Sequence, residues 1–300
     1  MFFTELRAFH AVAQSGGFIR ASELISRSQS TLTAQVLSLE QRYGVELFFR
    51  GRGRTAVLTP LGKKLHATTI QLFSLEKDAE ALVMNAGQNR GGILRVGAIS
   101  PRWATGMMTQ MMKRYPDIEV NLTLDNSKNL LDLVLSYEID LAYVGAHLPK
   151  TDCEMRSIST PEIVFAVSKK HPLCAKGLVS RDEFKQQTLI QREIGSETRN
   201  LMDTALAQNG YIPGRTAIFG SREGALEAAQ EGLGLAPVST DEIPDNLQVE
   251  KIRAADFKIY GEIHAVCLKS RRNLPIIAEA LAALSWVKSP VVRGRLSVRD

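Results

Sequence analysis

Two helical patterns joined by a tight polar turn constrain this chain more than any other feature. A short amphipathic segment runs from Ile19 to Ile25, the turn Ser26-Arg27-Ser28 follows, and a longer segment begins at Gln29 and stops at Gly44. The apolar positions of the longer segment recur at helical spacing: Leu32, Val36 and Leu39. Two helices joined in this way form a helix-turn-helix, whose second helix can enter the major groove of DNA.

The outer face of the second helix carries short hydrogen-bonding side chains. Groups of this kind near the N-terminal end of such a helix can reach the edges of base pairs. Gln29 and Thr33 are the first candidates for base contact. The other DNA-binding candidates in the motif are Arg27, Ser30, Thr31 and Gln35. The alternative is an ordinary helical hairpin with a solvated polar face.

The formal charge of the chain is concentrated at its N-terminal end. Residues 1–65 contain nine Lys/Arg and four Asp/Glu, whereas the remainder contains 28 of each kind. A basic module on a neutral body is the electrostatic signature of binding to a phosphate backbone. Three further arginines lie in residues 291–300, which we interpret as a basic tail.

Two short extended segments around a Gly/Arg turn follow the helix-turn-helix. Residues 47–50 and 55–58 flank Gly51-Arg52-Gly53-Arg54, and this pattern predicts a hairpin, or wing. Arg50, Arg52 and Arg54 stand at alternate positions, which suits contact with phosphates or with the minor groove. A solvated basic loop is the alternative.

A long helix with a regular apolar seam comes next. Thr59 and Pro60 predict its N-terminus, and it is expected to continue to about Asn85. Steps of four and three residues alternate along the seam: Leu61, Leu65, Thr68, Leu72, Leu75, Ala79, Leu82 and Ala86. Such a seam usually pairs with a second helix, and the simplest partner is the same helix of a second subunit. Packing onto its own body is the alternative.

The pattern changes after residues 89–92 to alternating strands and helices. Strands are expected at 93–97, 118–124, 140–144, 163–167, 189–190 and 216–219. Helices are expected from the residues after Ser100 to about 115, and at 130–136, 198–209, 223–231 and 275–286. This order predicts parallel strands covered by helices, with ligands bound beyond the C-terminal ends of the strands.

Several function classes lack their sequence signals. Neither the phosphate-binding GxxxxGK[ST] loop nor the GxSxG elbow is present, so we do not expect an enzyme. The three cysteines and five histidines show no metal-ligand spacing, so neither a metal nor a cofactor is expected. We expect no export signal and no membrane span, and the isolated, odd-numbered cysteines favour a cytoplasmic location.

Residues 1–65 resemble the DNA-binding domain of LysR-type transcriptional regulators. The residues that carry the resemblance are Leu6, Phe9, Val12, Ala13, Gly17, Phe18, Arg20, Ala21, Leu24, Ser28, Gln29, Thr33, Gln35, Val36, Leu39, Glu40, Gly44, Leu47, Phe48, Arg50, Leu58, Thr59 and Gly62. The resemblance covers nearly the whole chain and is weaker after Gly92. It implies an N-terminal all-α winged helix-turn-helix plus a long linker helix, and a C-terminal α/β two-subdomain effector domain resembling periplasmic binding proteins.

The resemblance also implies domain boundaries. The winged helix-turn-helix would occupy 1–58, the dimerising linker helix 59–88, the hinge 89–92 and the effector-binding domain 93–290. Subdomain I would comprise about 93–162 and 268–290, and subdomain II about 163–267. The implied partners are promoter DNA, RNA polymerase, a small-molecule effector and further copies of the chain, as a dimer or as a tetramer built from two dimers.

Three positions depart from the family pattern. Ser30 stands where the family usually has Pro, Ala34 where it commonly has Arg or Lys, and Phe49 where it commonly has an acidic residue. A side chain that could contact a phosphate or a base is therefore absent at Ala34. The operator sequence of other members consequently cannot be carried over to this chain.

The family's effector lies in the cleft between the subdomains. Matching positions here are Ser100, Ser127 and the segment Gly195-Ser196-Glu197-Thr198-Arg199, and Gly220-Ser221-Arg222 repeats the arrangement. Hydroxyl groups and free N–H groups at a helix N-terminus, joined by an arginine, favour an anion. The effector-binding candidates are Ser100, Arg102, Ser127, Ser196, Thr198, Arg199, Ser221 and Arg222. Plain helix capping is the alternative.

Two helix-start clusters with two arginines predict a compact dianion, such as a phosphonate or a phosphate ester, and a carboxylate is the related choice. The two segments are similar to members associated with aminoethylphosphonate use. The rival hypothesis is a cytoplasmic solute-binding or sensor protein without direct promoter control. It would explain the α/β half of the chain but neither the basic winged helix nor the missing export signal.

Overall fold

The computed structural model describes residues 2–49, 56–86, 92–145 and 152–284. The chain divides into two compact units, Met1–Gly87 and Gln88–Asp300. Among its described residues the first unit has four helices: α1 (Phe2–Ser15), α2 (Phe18–Leu24), α3 (Gln29–Tyr43) and α4 (Pro60–Ala86). The predicted wing arginines Arg50, Arg52 and Arg54, the hinge residues 89–91 and the basic tail lie outside the described residues.

The helix-turn-helix prediction is confirmed in its local geometry. Ser28 caps α3, because its hydroxyl accepts a hydrogen bond from the Thr31 N–H at 3.1 Å. Gly44 ends the helix in the left-handed conformation, with φ of 63°, which glycine adopts without strain. The apolar face of α3 packs against α1 and α2.

The core of the first unit is small and apolar. Its buried members are Leu6, Ala8, Phe9, Ala11, Val12, Ala21, Leu32, Val36, Leu39, Leu47 and Phe48. An isolated antiparallel bridge joins Phe48 to Leu58, which places the two flanks of the predicted wing side by side. Thr59 caps α4 as expected, accepting a hydrogen bond from the Gly62 N–H at 3.0 Å.

One face of α4 is used within the first unit and the other is not. Thr69, Phe73 and Ser74 are buried. On the predicted seam, Leu61, Thr68, Leu75 and Ala79 are exposed, whereas Leu65 and Leu72 are half-buried. The side chains of Leu82 and Ala86 lie outside the described ones. An apolar stripe therefore remains exposed along this helix in a single chain.

The second unit contains twelve strands and six α-helices among the described residues. The strands are β1 (Gly92–Ala98), β2 (Ile118–Leu124), β3 (Leu141–Gly145), β4 (Cys153–Ser159), β5 (Glu162–Ser168), β6 (Leu178–Val179), β7 (Thr188–Arg192), β8 (Arg215–Phe219), β9 (Ala236–Ser239), β10 (Val249–Ala254), β11 (Ile259–Tyr260) and β12 (Ile263–Leu268). The helices are α5 (Pro101–Arg114), α6 (Ser127–Leu135), α7 (Arg181–Phe184), α8 (Glu197–Gln208), α9 (Arg222–Gln230) and α10 (Pro275–Ala283).

These elements form two subdomains, of which subdomain I has one sheet and subdomain II has two. In subdomain I the strand order is β2-β1-β3-β12-β4, and in subdomain II it is β11-β5-β10-β6 with β9 beside β5 and a separate β7-β8 pair. The chain crosses into subdomain II before β5 and returns before β12. The sequence analysis placed the return crossing at about residue 268. Since β12 pairs with β3 and β4, the crossing in fact precedes Ile263.

The expectation of parallel strands is correct for one set of pairs and wrong for the other. β1 pairs in parallel with β2 and with β3, and β7 pairs in parallel with β8. β12 is antiparallel to β3 and β4, and β5 is antiparallel to β9, β10 and β11. The two crossings explain the difference, because a strand that returns from the other subdomain can enter the sheet in the opposite direction.

Candidate functional site

The N-terminal turn of α3 presents a cluster of hydroxyl groups. The Ser28 hydroxyl lies 2.9 Å from the Ser30 hydroxyl and 2.7 Å from the Thr31 hydroxyl. The Thr33 hydroxyl donates a hydrogen bond to the Gln29 carbonyl oxygen at 2.9 Å. These hydroxyl oxygens keep acceptor capacity, so the turn can contact base edges or phosphates.

The sequence-predicted DNA-binding residues differ in exposure. Arg27, Gln29 and Ser30 are exposed, whereas Thr31, Thr33 and Gln35 are half-buried. Gln29 is thus an exposed amide side chain at the start of the helix. Its amide can donate one hydrogen bond and accept another, which matches the major-groove edge of adenine. Of the nine candidates, the three wing arginines are the ones that lie outside the described residues.

Two carboxylates hold this helix in place. Glu5 on α1 is 4% exposed and accepts hydrogen bonds from Ser38 at 2.7 Å and from Arg42 at 2.8 Å, both on α3. Glu40, also on α3, accepts from the backbone N–H groups of Leu47 and Phe48. The orientation of α3 is thus tied to α1 and to the wing flank by charged hydrogen bonds.

In the second unit a cavity lies between the two subdomains, which we call the effector cleft. Subdomain I contributes the end of β1, the start of α6 and the end of β3, and subdomain II contributes the start of α8 and the end of β9. Its lining residues are Ile99, Asn126, Ser127, Gly145, Pro161, Ile163, Arg192, Ser196, Glu197, Thr198, Leu201, Arg222, Ser239, Glu242, Gly261, Glu262 and Ile263. Its free volume is about 40 Å³, room for a few water molecules.

Four of the eight predicted effector residues line this cleft. Ser127, Ser196 and Thr198 come from the starts of α6 and α8, and Arg222 comes from the start of α9. The Ser127 hydroxyl accepts a hydrogen bond from the Gly145 N–H at 3.1 Å, which joins α6 to the end of β3. The structure therefore brings together helix N-termini from both subdomains around one cavity.

The other four candidates lie elsewhere. Ser100 and Arg102 line a neighbouring cavity of about 500 Å³, which Arg222 also borders. Ser221 caps α9, accepting from the Gly224 N–H at 3.1 Å, as the capping alternative requires. Arg199 donates to the Arg192 carbonyl oxygen at 2.8 Å and pairs with Asp203, and it is not among the residues that line the effector cleft.

Ser239 and Glu242 are two of the polar cleft residues that the sequence analysis did not name. Ser239, at the end of β9, is 4% exposed, and its hydroxyl has no hydrogen-bond partner among the described residues. Glu242, in the turn after β9, accepts from Arg222 Nη1 at 2.8 Å and from Trp103 Nε1 at 3.3 Å. No local pattern marks either residue, because the importance of each arises from contacts made in the folded domain.

Charges in the cleft are largely paired. Arg192 forms a two-pronged ion pair with Glu193, and Arg222 pairs with Glu242 and Glu223. Burial raises the pKa of Glu242 above its usual range, and the neighbouring Arg222 and the Trp103 N–H oppose that rise only in part. An anion that enters the cleft would therefore meet arginines that already have carboxylate partners.

Comparison with known proteins identifies the family. Residues 3–63 match the family described as bacterial regulatory helix-turn-helix protein, lysR family, and residues 87–286 match the LysR substrate binding domain. The chain belongs to the LysR family of transcriptional regulators. Its first unit is thus a DNA-binding domain and its second an effector-binding domain. The RuBisCO operon transcriptional regulator of Allochromatium vinosum is 27% identical over 291 residues, which cover 96% of each chain.

Solved structures show the same fold. A full-length OxyR variant from Pseudomonas aeruginosa matches with a TM-score of 0.72 at 22% identity, covering 95% of this chain and 93% of that one. CbnR in complex with its target DNA matches with a TM-score of 0.65 at 19% identity, covering 95% of this chain and 99% of that one. The CcmR regulatory domain of Synechocystis PCC6803 with 2-PG matches with a TM-score of 0.60 at 20% identity, covering 67% of this chain and 99% of that one. LysR regulators therefore include proteins solved with DNA and with a small molecule.

Two further observations concern other kinds of site. Within the described ranges, no group of three or more His, Cys, Asp or Glu side chains is arranged to hold a metal ion. In the same part of the chain, no helix is long and apolar enough to cross a membrane.

Proposed function

We propose that this LysR regulator acts as a cytoplasmic homodimer, or as a tetramer of two dimers, that binds promoter DNA through paired α3 helices. A small anionic effector between subdomains I and II switches its activity, and RNA polymerase is its partner at the promoter. The observation that carries the proposal is the exposed, polar N-terminal turn of α3 with Gln29 at its start, within residues 1–65, which hold all of the net positive charge.

The DNA contacts follow from exposure and chemistry. Gln29 and Thr33 are the proposed base contacts, with Ser30 and Gln35 beside them. Arg27, Thr31 and the arginines Arg50, Arg52 and Arg54 would contact the backbone. Backbone contacts of this kind add affinity that falls with salt, whereas bidentate amide contacts distinguish one base pair from another.

The dimer is supported by the apolar stripe on α4. Leu61 and Leu75 are exposed in the single chain, at positions of the alternating seam. Burying such side chains against the same helix of a second subunit would remove apolar surface from water. Two α3 helices would then reach half-sites about 34–36 Å apart, one turn of the double helix.

A DNA-retention experiment tests the proposed base contacts. Gln29→Ala is compared with Gln41→Ala, an exposed glutamine near the C-terminal end of the same helix. With a duplex from the upstream region of the protein's own gene, Gln29→Ala should weaken binding by about 1–3 kcal/mol. Gln41→Ala should bind as the parent does. Equal affinity of all three proteins would contradict docking through the start of α3.

The anionic effector is supported by helix N-termini from both subdomains that meet at the cleft, with Arg222 beside them. Within this class we propose a compact phosphonate or phosphate ester, with carboxylates as the related choice. The similarity of 195–199 and 220–224 to members associated with aminoethylphosphonate use makes that compound the first to test. The solved CcmR domain holds 2-PG, which makes 2-PG the second.

Calorimetric titration of the full-length chain tests the effector class. We expect 2-aminoethylphosphonate, 2-PG or a small carboxylate to bind, and Ser196→Ala to weaken that binding, because it removes a buried hydroxyl from the cleft. Ser221→Ala is the matched control, since Ser221 caps α9 and does not line the cleft. Preference for a neutral or purely cationic compound would contradict the anionic class.

A further inference from the structure

Arg222 and Glu242 connect the two subdomains through one buried cluster. Arg222 Nη1 donates to Glu242 Oε1 at 2.8 Å and to the Ile99 carbonyl oxygen, at the end of β1 in subdomain I, at 3.0 Å. Trp103 on α5 of subdomain I donates from Nε1 to the same Glu242 oxygen at 3.3 Å. Each of the two charged residues of subdomain II therefore bonds to subdomain I.

The cluster is almost completely removed from water. The side chains of Arg222 and Glu242 are 10% and 5% exposed, and Trp103 is 7% exposed. Removing two charges from water costs free energy that their attraction often only balances, so such a pair is a weak source of stability. The rise in the pKa of Glu242 points the same way, because it means that burial outweighs the attraction of Arg222.

Arg222 and Glu242 lie between two cavities of the second unit. Both residues line the effector cleft and also the larger neighbouring cavity, so the pair forms the wall between them. The charged groups around it are Glu223, which bonds to Arg222 Nη2, and Arg192, which acts on Glu242 at longer range. Arg222 is the one predicted effector residue that both reaches the cleft and carries a positive charge.

We propose that Arg222 and Glu242 form a latch that holds the two subdomains together, and that Glu242 competes with the anionic group of the effector for the Arg222 guanidinium. The second half rests on the proposed anionic effector. An anion that takes over the guanidinium releases Glu242 from Arg222 and weakens the bond to Ile99. Occupancy of the cleft is thereby linked to the contact between the subdomains, through unequal affinity for the latched and unlatched arrangements.

The latch is tested without any ligand. The chain has two tryptophans, so Trp286→Phe makes Trp103 the only indole in the full-length protein. In that background Arg222→Met should raise the acrylamide quenching of Trp103 at least about twofold, because the buried contact opens. Arg215→Met, an exposed arginine on β8, is the control and should leave quenching unchanged. Equal protection of Trp103 in both variants overturns the latch.

The competition is tested with inorganic phosphate as the probe. Glu242→Gln keeps the size and the acceptor for Trp103 but removes the charge, and it should tighten phosphate binding at least about tenfold. Glu227→Gln, an exposed carboxylate on α9, is the control and should change it little. Unchanged affinity in Glu242→Gln overturns the competition. If phosphate binds neither protein, both the competition and the anionic effector are contradicted. DNA retention still tests docking through α3, and Trp103 quenching still tests the latch.

Where Arg222→Met does not fold, Arg222→Lys keeps the charge but not the planar guanidinium, whose Nη1 donates to both Glu242 and the Ile99 carbonyl oxygen. The quenching of Trp103 in Arg222→Lys should lie between the value expected for Arg222→Met and the value of the control Arg215→Met. Quenching equal to that of the parent overturns the latch in this variant as well.

Discussion

Arg42 Nη2 lies 2.8 Å from Glu5 Oε1, joining the last turn of α3 to the first turns of α1. The carboxylate is buried, whereas the guanidinium reaches solvent. Ser38 donates to the same oxygen one turn earlier on α3. The contact is remote from the exposed start of α3, so it acts on DNA binding only by holding the helix in its orientation.

Glu5→Ala is expected to lower the free energy of unfolding of the DNA-binding domain by about 2 kcal/mol. Two hydrogen bonds to a charged group are lost, although Arg42 can be solvated after the change. Urea denaturation followed by circular dichroism measures the effect, with Glu23→Ala, an exposed glutamate on α2, as the control. Equal stability of the two variants would show that the pair does not stabilise the domain.

A glycine at the start of α4 allows a close approach of two backbone segments. A Cβ atom placed on Gly62 would lie 2.1 Å from the Leu47 carbonyl oxygen and 3.0 Å from Leu58 Cδ2. Gly62→Ala should therefore destabilise the DNA-binding domain by about 3 kcal/mol, because backbone has to move. Gly220→Ala, whose Cβ would meet no atom of the described residues within 4 Å, should be tolerated. A normal melting temperature for Gly62→Ala would contradict the packing.

Local patterns predicted the helices of the DNA-binding domain well. α3 begins at Gln29 and ends before Gly44, as expected, because a capping serine, an apolar repeat and a left-handed glycine all act within the helix itself. β2 coincides with its predicted range for a similar reason. The start of α6 was placed at Leu130, but the Asn126 side chain caps it and α6 begins at Ser127.

Contacts between distant parts of the chain were not predictable in the same way. Six strands were missed: β4, β6, β9, β10, β11 and β12. The pairing of β12 with β3 and β4 depends on where the chain crosses between subdomains. Arg199 was chosen for its place in a helix start, yet its guanidinium turns back to the Arg192 carbonyl oxygen. A helix start fixes the position of Cα but not the side-chain rotamer. Glu242 was missed, since Trp103 is 139 positions away.

The wing arginines should determine how DNA affinity responds to salt. Arg52→Ala and Arg54→Ala are each expected to reduce the slope of log affinity against log salt by about 0.9, because each change leaves one phosphate counterion unreleased. The measurement is a set of DNA titrations over a salt series. Arg215→Ala, on the effector-binding domain, is the control and should keep the parent slope. If Arg52→Ala and Arg54→Ala have the same salt slope as the parent and the control, contact of the wing with the DNA backbone is contradicted.

The cysteines should be poor redox sensors, because they are buried or half-buried. Cys153 and Cys267 are buried, and burial raises the pKa of the Cys267 thiol to about 11. Cys267 belongs to the core on one face of the first sheet and Cys153 to the core on the other. Cys174 is half-buried, and burial raises its pKa as well.

A thiol reagent at neutral pH should consequently label only Cys174, slowly, in the folded protein and all three cysteines in urea. Cys174→Ser should abolish the labelling of the folded form. Peroxide should leave DNA retention unchanged. Rapid reaction of a second thiol without denaturant would contradict the inert cysteines.

His10 gives the DNA-binding domain a defined response to acid. Its ring lies 4.8 Å from that of Phe73 and 5.5 Å from that of His66, between α1 and α4, and its Nδ1 is 3.0 Å from the Thr69 hydroxyl. Burial, followed by the nearby His66, lowers the pKa of His10 from 6.5 to about 4. The unfolded chain therefore binds a proton at a pH where the folded one does not.

It follows that the contribution of His10 to stability is complete above pH 6.5 and is lost as the pH falls from 6.5 towards 4. After allowance for solvent screening of this partly exposed ring, the loss is about 1–2 kcal/mol. Urea denaturation at pH 7 and pH 4.5 should show this decline in the parent and a smaller one in His10→Gln. His171→Gln, in the effector-binding domain, is the control. A decline of the same size in His10→Gln would place the acid response on other groups, since glutamine carries no titrating ring between α1 and α4.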